Sequence, residues 1–287
     1  QLLALCLASH HSGLIDCLSP DGEDKFTKRM EKLDEKAHTE EATAALCQDE
    51  KERLENTLSQ DIEKLIVKRL VALREPNDSK PTLAFKQGML ARFLFSCLID
   101  ADRLSTADFE IPENAYLRNA GQYHPWDVLV QRLEVKIQAF AQKENKNEVD
   151  VVRNQVSAAC LAFSRKPKGI YRLTVPTGGG KTFSSLRFAL NHAAYHKLDR
   201  VFYIIPFTSI IDQNAEEVRK VLEDRDVNGH ILDKVVLEHH SNLTPEEESR
   251  RQNLLAQNWD ASVVFTTQVQ FLETLFGSGT RGVRRMH

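Results

Sequence analysis

Apolar and polar positions follow two different rhythms along this chain, and the change comes near residue 150. Up to about residue 115 the rhythm is helical. From Leu54 onward Leu58, Ile62, Leu65, Leu70 and Leu73 recur at steps of three to five residues. That spacing predicts one apolar face of a helix with charged residues opposite. The segment "EDKFTKRMEKLDEK" reads as a solvated surface. The segment "REPNDSKP" (Arg74 to Pro81) is a break between helices. The next segment, "LAFKQGMLARFLFSCLIDADRL", is apolar on nearly every side and predicts a helix buried all round. The polar "AQKENKNEVD" (Ala141 to Asp150) reads as a linker or surface turn.

Beyond it the runs become short and β-branched or aromatic. "IYRLTV", "RVFYIIP", "KVVLEH" and "ASVVFTT" predict strands. The intervening "KTFSSLRFALNHAAYH", "SIIDQNAEEVRKVLED" and "TPEEESRRQNLLAQN" predict helices, the last opening with Thr244 as N-cap and Pro245 at the first helical position. Strand–helix alternation implies parallel strands with right-handed crossovers. The expected fold class is α plus α/β, a helical domain followed by a parallel-sheet domain. No internal repeat or low-complexity tract interrupts it.

Composition narrows the class. The chain has 287 residues, 41% of them hydrophobic and 28% charged, with a net charge of −3. That allows two domains with buried cores and argues against a general nucleic-acid coat, though not against a local basic groove. No uninterrupted apolar run reaches the roughly 18 residues of a membrane span. The start "QLLALCLASHH" lacks a basic region and a cleavage site and reads as a buried helix. A first residue Gln1 in place of Met suggests that an N-terminus has been lost. The five cysteines (Cys6, Cys17, Cys47, Cys97, Cys160) form no CxxC pair. They read as small buried residues in a reducing cytoplasm.

The chemistry concentrates in "PTGGGKT" (Pro176 to Thr182), between a strand and a helix. A triphosphate can be met by backbone N–H groups only where no Cβ intrudes. Gly178, Gly179 and Gly180 permit that approach, and the following helix adds its dipole. Lys181 can reach the β/γ-phosphates and Thr182 can hold magnesium. Val175 breaks the G-x4-G-K-T form, but the shorter x-P-T-G-x-G-K-T form of superfamily-two helicases is met, and Pro176 and Thr177 supply its first two fixed positions. All seven residues from Pro176 through Thr177 to Thr182 are therefore expected to bind nucleotide. Gln155, upstream, is either an adenine-reading glutamine or an ordinary exposed helix residue. "IIPFTSIIDQN" and "VVFTTQVQF" place Thr208, Ser209, Gln213, Thr266, Thr267 and Gln268 at strand ends and helix starts, and resemble helicase motifs Ia and Ib. Such residues either hold a nucleic-acid backbone without reading bases or serve as caps and turns.

A second constellation lies far upstream. His10 and His11 are adjacent in "LASHHSGLID", and Asp100 and Asp102 lie in an otherwise apolar helix. A buried carboxylate needs a partner. Arg103 or Arg92 could supply it, or a divalent ion could. Histidine and aspartate together suit a hydrolytic metal site on phosphodiesters.

Taken in order, "HHSGL", "RFLFSCLIDADRL", "LTVPTGGGKT", "IIPFTSIIDQN", "LEHHSN" and "NWDASVVFTTQVQF" resemble the CRISPR-associated helicase-nuclease family of type I interference systems, over nearly the whole chain. That resemblance implies a partial, all-helical HD-type metal nuclease domain followed by a partial RecA-like P-loop domain. The expected boundaries are residues 1–115, a connector over 116–150, and 151–287. It further implies ATP with Mg2+ at the loop, and Mn, Fe, Co or Ni held by His10, His11 and Asp102, with Asp100 the lesser candidate. It implies a 3′–5′ translocase that hydrolyses ATP, degradation of a displaced single DNA strand, recruitment by the Cascade complex, a cytoplasmic location and no membrane partner. The family's earlier histidine, its His-Asp pair, its acidic box and its second RecA-like lobe have no counterpart here. An internal fragment of a longer protein, poorly active alone, is therefore expected. A superfamily-two ATPase with a non-catalytic helical docking module is the alternative.

Overall fold

The computed structural model of this chain describes residues 1–15, 19, 21–32, 38–118, 121–224, 227, 234–240 and 250–287. The helix expected to open at Thr244 and Pro245 begins outside the described residues, as does Cys17. The chain divides into two compact units, one of Gln1–Thr106 with Thr274–His287 and one of Ala107–Glu273.

The first unit is helical: α1 (Leu2–Ser9), α2 (Lys25–Met30), α3 (Thr39–Ala45), α4 (Gln48–Glu55), α5 (Glu63–Leu73) and the long α6 (Lys80–Glu110). A π-helical stretch, Asn56–Ile62, joins α4 to α5. The apolar stripe expected from Leu54 is helical but not buried, since Leu54, Leu58 and Leu65 are all exposed. The wider π turn breaks the 3.6-residue period on which that stripe was read. The break at "REPNDSKP" stands between α5 and α6.

Helix α6 is buried on one side only, through Ala91, Phe95, Ser96, Ile99 and Asp100, while Phe85, Phe93 and Phe109 face solvent. This corrects the expectation of burial all round. Its one core cluster joins Phe95 and Ile99 to Cys6 and Val283. Burial pushes the Cys6 thiol up to about 11, with Cys97 adding to the shift, so it stays an apolar filler. By length and composition α6 alone among the described helices could cross a membrane, with a best-window mean hydropathy of 1.2. Its buried Asp100 is instead ion-paired to Arg284 at 2.6 Å.

The second unit holds α7 (Trp126–Ala141), α8 (Glu148–Phe163), α9 (Lys181–His196), β1 (Val201–Ile205), α10 (Thr208–Leu222), β2 (Val236–His239), α11 (Arg250–Asn258) and β3 (Val263–Thr267), with α12 (Gln268–Phe276) running into the segment that completes the first unit. The sheet has three parallel strands in the order β1–β3–β2. Residues alternate in facing along each strand. Val236, Val263 and Phe265 pack with Leu129 and Leu133 of α7, Leu186 and Leu190 of α9, and Ile211, Ala215, Val218 and Leu222 of α10. Leu237 and Val264 meet Leu255, Trp259 and Ala261 on the other side. The helical spacings 186–190 and 211–215–218–222 are what a core-facing stripe requires.

The expected first strand is absent as a strand. Residues 170–175 join α8 to α9 without regular secondary structure and pair with none of the three strands. Ile170 is fully exposed, and Leu173 is exposed as well. A β run is defined by its ladder, and without a partner its N–H and C=O groups have nowhere regular to go.

Candidate nucleotide site and nucleic-acid face

The loop at Pro176–Thr182 leads directly into α9, whose N-cap is Gly180. It opens with a tight turn over Pro176, Thr177, Gly178 and Gly179, closed by the Gly179 N–H donating to the Pro176 carbonyl at 3.1 Å. Thr177 stands at the corner of that turn and is exposed. Pro176 has no N–H to offer and contributes only its fixed φ.

Gly178 and Gly180 both have φ of +80°, a conformation that side chains rarely adopt. Gly179 needs its lack of a side chain for another reason. A Cβ there would lie 2.4 Å from Val175 Cγ1 and 3.1 Å from the Pro176 carbonyl oxygen. Each glycine is thus required by backbone path or by space, and the turn they make is a concave one at a helix N-terminus. Lys181 reaches back over it, its Nζ donating to the Val175 carbonyl at 3.2 Å. The donor set fits a magnesium-bound triphosphate, with loop and helix amides and Lys181 for the phosphates and the Thr182 hydroxyl for the metal.

Two further side chains brace this loop, and neither was picked out from the sequence. Arg153 of α8 donates through Nε to the Gly178 carbonyl at 2.8 Å. Its aliphatic stem also lies where a Gly180 Cβ would go, 3.1 Å away. Gln155 stands two residues on, about 200° around the same helix, and is exposed. The turn of α8 that offers Arg153 to the loop therefore aims Gln155 elsewhere. The second brace is Asn214 of α10, whose Oδ1 accepts from the Thr182 hydroxyl at 3.0 Å. Arg187 of α9 is fixed by both oxygens of Glu134 at 2.6 and 2.7 Å, which ties α9 to α7.

The candidate nucleic-acid contacts sit at the C-terminal ends of neighbouring parallel strands. Ile205 is in register with Thr267 across β1 and β3. Helices α10 and α12 start just beyond those two positions, where ligands of parallel sheets gather. Ser209, Gln213 and Gln268 are exposed there, and Thr208 is half-buried. Thr267 accepts from the Gln270 N–H at 3.2 Å and so caps α12. Thr266 is fully buried. It lies on the same covered face of β3 as Val264, so it has no surface to offer a backbone phosphate.

In the helical unit, His10 Nδ1 donates to the Leu7 carbonyl at 2.7 Å. In the neutral ring this leaves Nε2 as the lone-pair nitrogen, the usual arrangement in a metal-binding histidine. The His11 ring lies 3.7 Å away, centroid to centroid. Gly13, at φ +87°, lets the chain pass close against Gly279. Asp102 is exposed on α6 and does not converge with the two histidines into a group of three ligand atoms. Asp100 is the buried acid. Its partners are Arg284 and, at 3.3 Å, His287, rather than Arg92 or Arg103. Arg92 instead donates to the carbonyls of Thr274 and Gly277, and Arg103 to the Thr280 hydroxyl.

Among the described residues, the one group of three metal-type ligands that does converge is Asp212, Glu238 and His240. His240 Nε2 lies 2.9 Å from each carboxylate, and Arg219 takes the other Glu238 oxygen at 2.8 Å. These four side chains form a polar network that ties α10 to the end of β2.

A family model described as the type III restriction enzyme, res subunit, matches residues 130–275, just over half of the chain. It runs from α7 to α12 and takes in the loop with both of its braces. The CRISPR-associated nuclease/helicase Cas3 of Haloferax volcanii is 28% identical over 132 residues, 39% of this chain. That stretch is 14% of the relative's own length, so the chain spans far less than two thirds of it.

Proposed function

Because the chain belongs to the family of the type III restriction enzyme res subunit, we propose that its loop at Pro176–Thr182 binds ATP with Mg2+ and serves a helicase-type function. The finer reading is a 3′–5′ DNA translocase of type I CRISPR interference, joined to a metal-dependent nuclease that degrades a displaced single strand after recruitment by Cascade. A bound magnesium triphosphate would supply a phosphoanhydride polarised for attack by water. The chain's own residues would hold it. The remaining loop and helix amides and Lys181 balance the phosphate charge, Thr182 offers its hydroxyl to the metal, and Arg153 braces the loop. Ser209, Gln213 and Gln268 would touch the DNA backbone. The work would be done in the cytoplasm, with no membrane partner.

The observation that carries this reading is the glycine cradle at the N-terminus of α9, with Lys181 folded over it. DNA-stimulated ATP hydrolysis by the full-length protein tests it. Stimulation supports the reading, and no hydrolysis with or without DNA sinks it.

The nuclease half rests on His10 and His11, with Asp102 as the third ligand and a manganese, iron, cobalt or nickel ion between them. A second reading makes the helical unit a docking module alone. It is favoured by Asp102 standing apart from the histidine pair. Replacing His10, His11 and Asp102 with alanine in the full-length protein separates the two. Loss of metal-dependent single-strand cutting supports the nuclease, and survival of cutting through all three changes supports the docking module.

A further inference from the structure

Asn214 is neither a loop residue nor a candidate DNA contact, yet its side chain meets the hydroxyl that would hold the metal. A threonine hydroxyl has one proton and two lone pairs. If the proton turns toward a cation, the oxygen is a poor ligand. If the proton is committed elsewhere, both lone pairs are free. Here Thr182 Oγ1 donates to Asn214 Oδ1 at 3.0 Å, which commits it. The surroundings restrict both partners. Ser185 Oγ donates to the Thr182 carbonyl at 3.1 Å and lies 3.4 Å from the Tyr203 hydroxyl. Tyr203 stacks on Phe265, with ring centroids 4.7 Å apart. Asn214 is fixed by its neighbour Ala215 and by Ile211 and Val218, a helical turn to either side of it, all in the core. Gln213, on the other side of Asn214, is exposed among the candidate DNA contacts.

We propose that Asn214 is a positioning residue for the nucleotide's divalent cation, acting through Thr182 and joining the phosphate loop to the helix that faces nucleic acid. The proposal deepens the ATP reading and rests on it. Asn214 touches neither metal nor nucleotide. It sets which face of the Thr182 oxygen they meet.

The test is equilibrium binding of a fluorescent, non-hydrolysable ATP analogue to the full-length protein, titrated with Mg2+ and repeated in EDTA. Wild type, Asn214→Ala and Asn214→Asp are compared. Alanine removes the acceptor. It is expected to raise the Mg2+ needed for half-maximal binding about tenfold, while affinity in EDTA stays within about twofold. Aspartate can only accept, so it is expected to bind no more weakly than wild type. A merely structural asparagine would shift both conditions together. An unchanged Mg2+ midpoint in Asn214→Ala, or an aspartate variant as weak as alanine, overturns the proposal and leaves the ATP site standing. Absence of any Mg2+-dependent binding by wild type overturns both.

Discussion

The two units carry their chemistry in opposite ways. In the α/β unit, the phosphate loop is a local device: consecutive residues supply the turn, the space, the cation and the hydroxyl, and helix α9 holds them in order. In the helical unit, the metal reading depends on residues far apart in sequence, with His10 and His11 after α1 and Asp102 on α6. A local device needs only its own turn into a helix and a few braces. A distributed one needs the packing of every element between its parts. The cores follow suit, one a two-layer packing around a sheet and the other a small cluster at Cys6, Phe95, Ile99 and Val283.

The largest effect that would sharpen this contrast is at Asp100. Removing one member of a buried ion pair costs about 3–5 kcal/mol, so Asp100→Ala should lower the melting temperature of the helical unit by many degrees. Asp102→Ala should leave melting unchanged, and on the nuclease reading it should also abolish metal-dependent cutting. If the two variants melt alike, the division between structural and ligand acid is wrong. In the loop, Gly179→Ala forces a Cβ into Val175 and the Pro176 carbonyl. Overpacking of that kind costs about 1–3 kcal/mol, to be read as weaker nucleotide binding with the helical unit's melting untouched. Arg153→Ala loses one hydrogen bond to the loop, worth about 1 kcal/mol, and should weaken nucleotide binding by about fivefold. Equal affinity would remove Arg153 from the site.

The smallest effect concerns β2. Burial raises the Glu223 carboxyl above its ordinary 4.5, against the opposing bonds it accepts from the Val236 and Val235 N–H groups. The folded state therefore favours the protonated form. The stability that this gives is full below pH 4.5 and is lost as pH rises through the raised value. Glu223→Gln keeps the acceptor oxygen and should flatten the melting profile as pH rises above the ordinary value of 4.5. An unchanged slope would assign the pH dependence elsewhere.

What the sequence made legible follows the same division. The loop, the helix after it and three of the four expected strands were readable, because each depends on a short contiguous pattern. The fourth, at 170–175, carries strand residues but has no ladder partner, and propensity cannot supply one. Within the loop, the motif names Thr177 beside its glycines but does not show that Gly179 N–H closes the turn on the Pro176 carbonyl; the structure does. Period-two alternation holds no signal for Thr266, because both faces of β3 are covered and its burial comes from packing on the Val264 face. Arg153 and Asn214 were beyond reach, because their importance comes from how α8 and α10 pack against the loop. Arg284 was invisible as the partner of Asp100 for the same reason, arriving from a segment at the other end of the chain.

The central claim is that Lys181 and its glycine turn grip a nucleotide independently of the helical unit's chemistry. Its most direct test is Lys181→Ala in the full-length protein, with ATP turnover and metal-dependent nicking of free single-stranded DNA measured side by side. The account predicts a loss of turnover of about a hundredfold or more with nicking retained. Turnover that survives the substitution, or an equal loss of both activities, would contradict it.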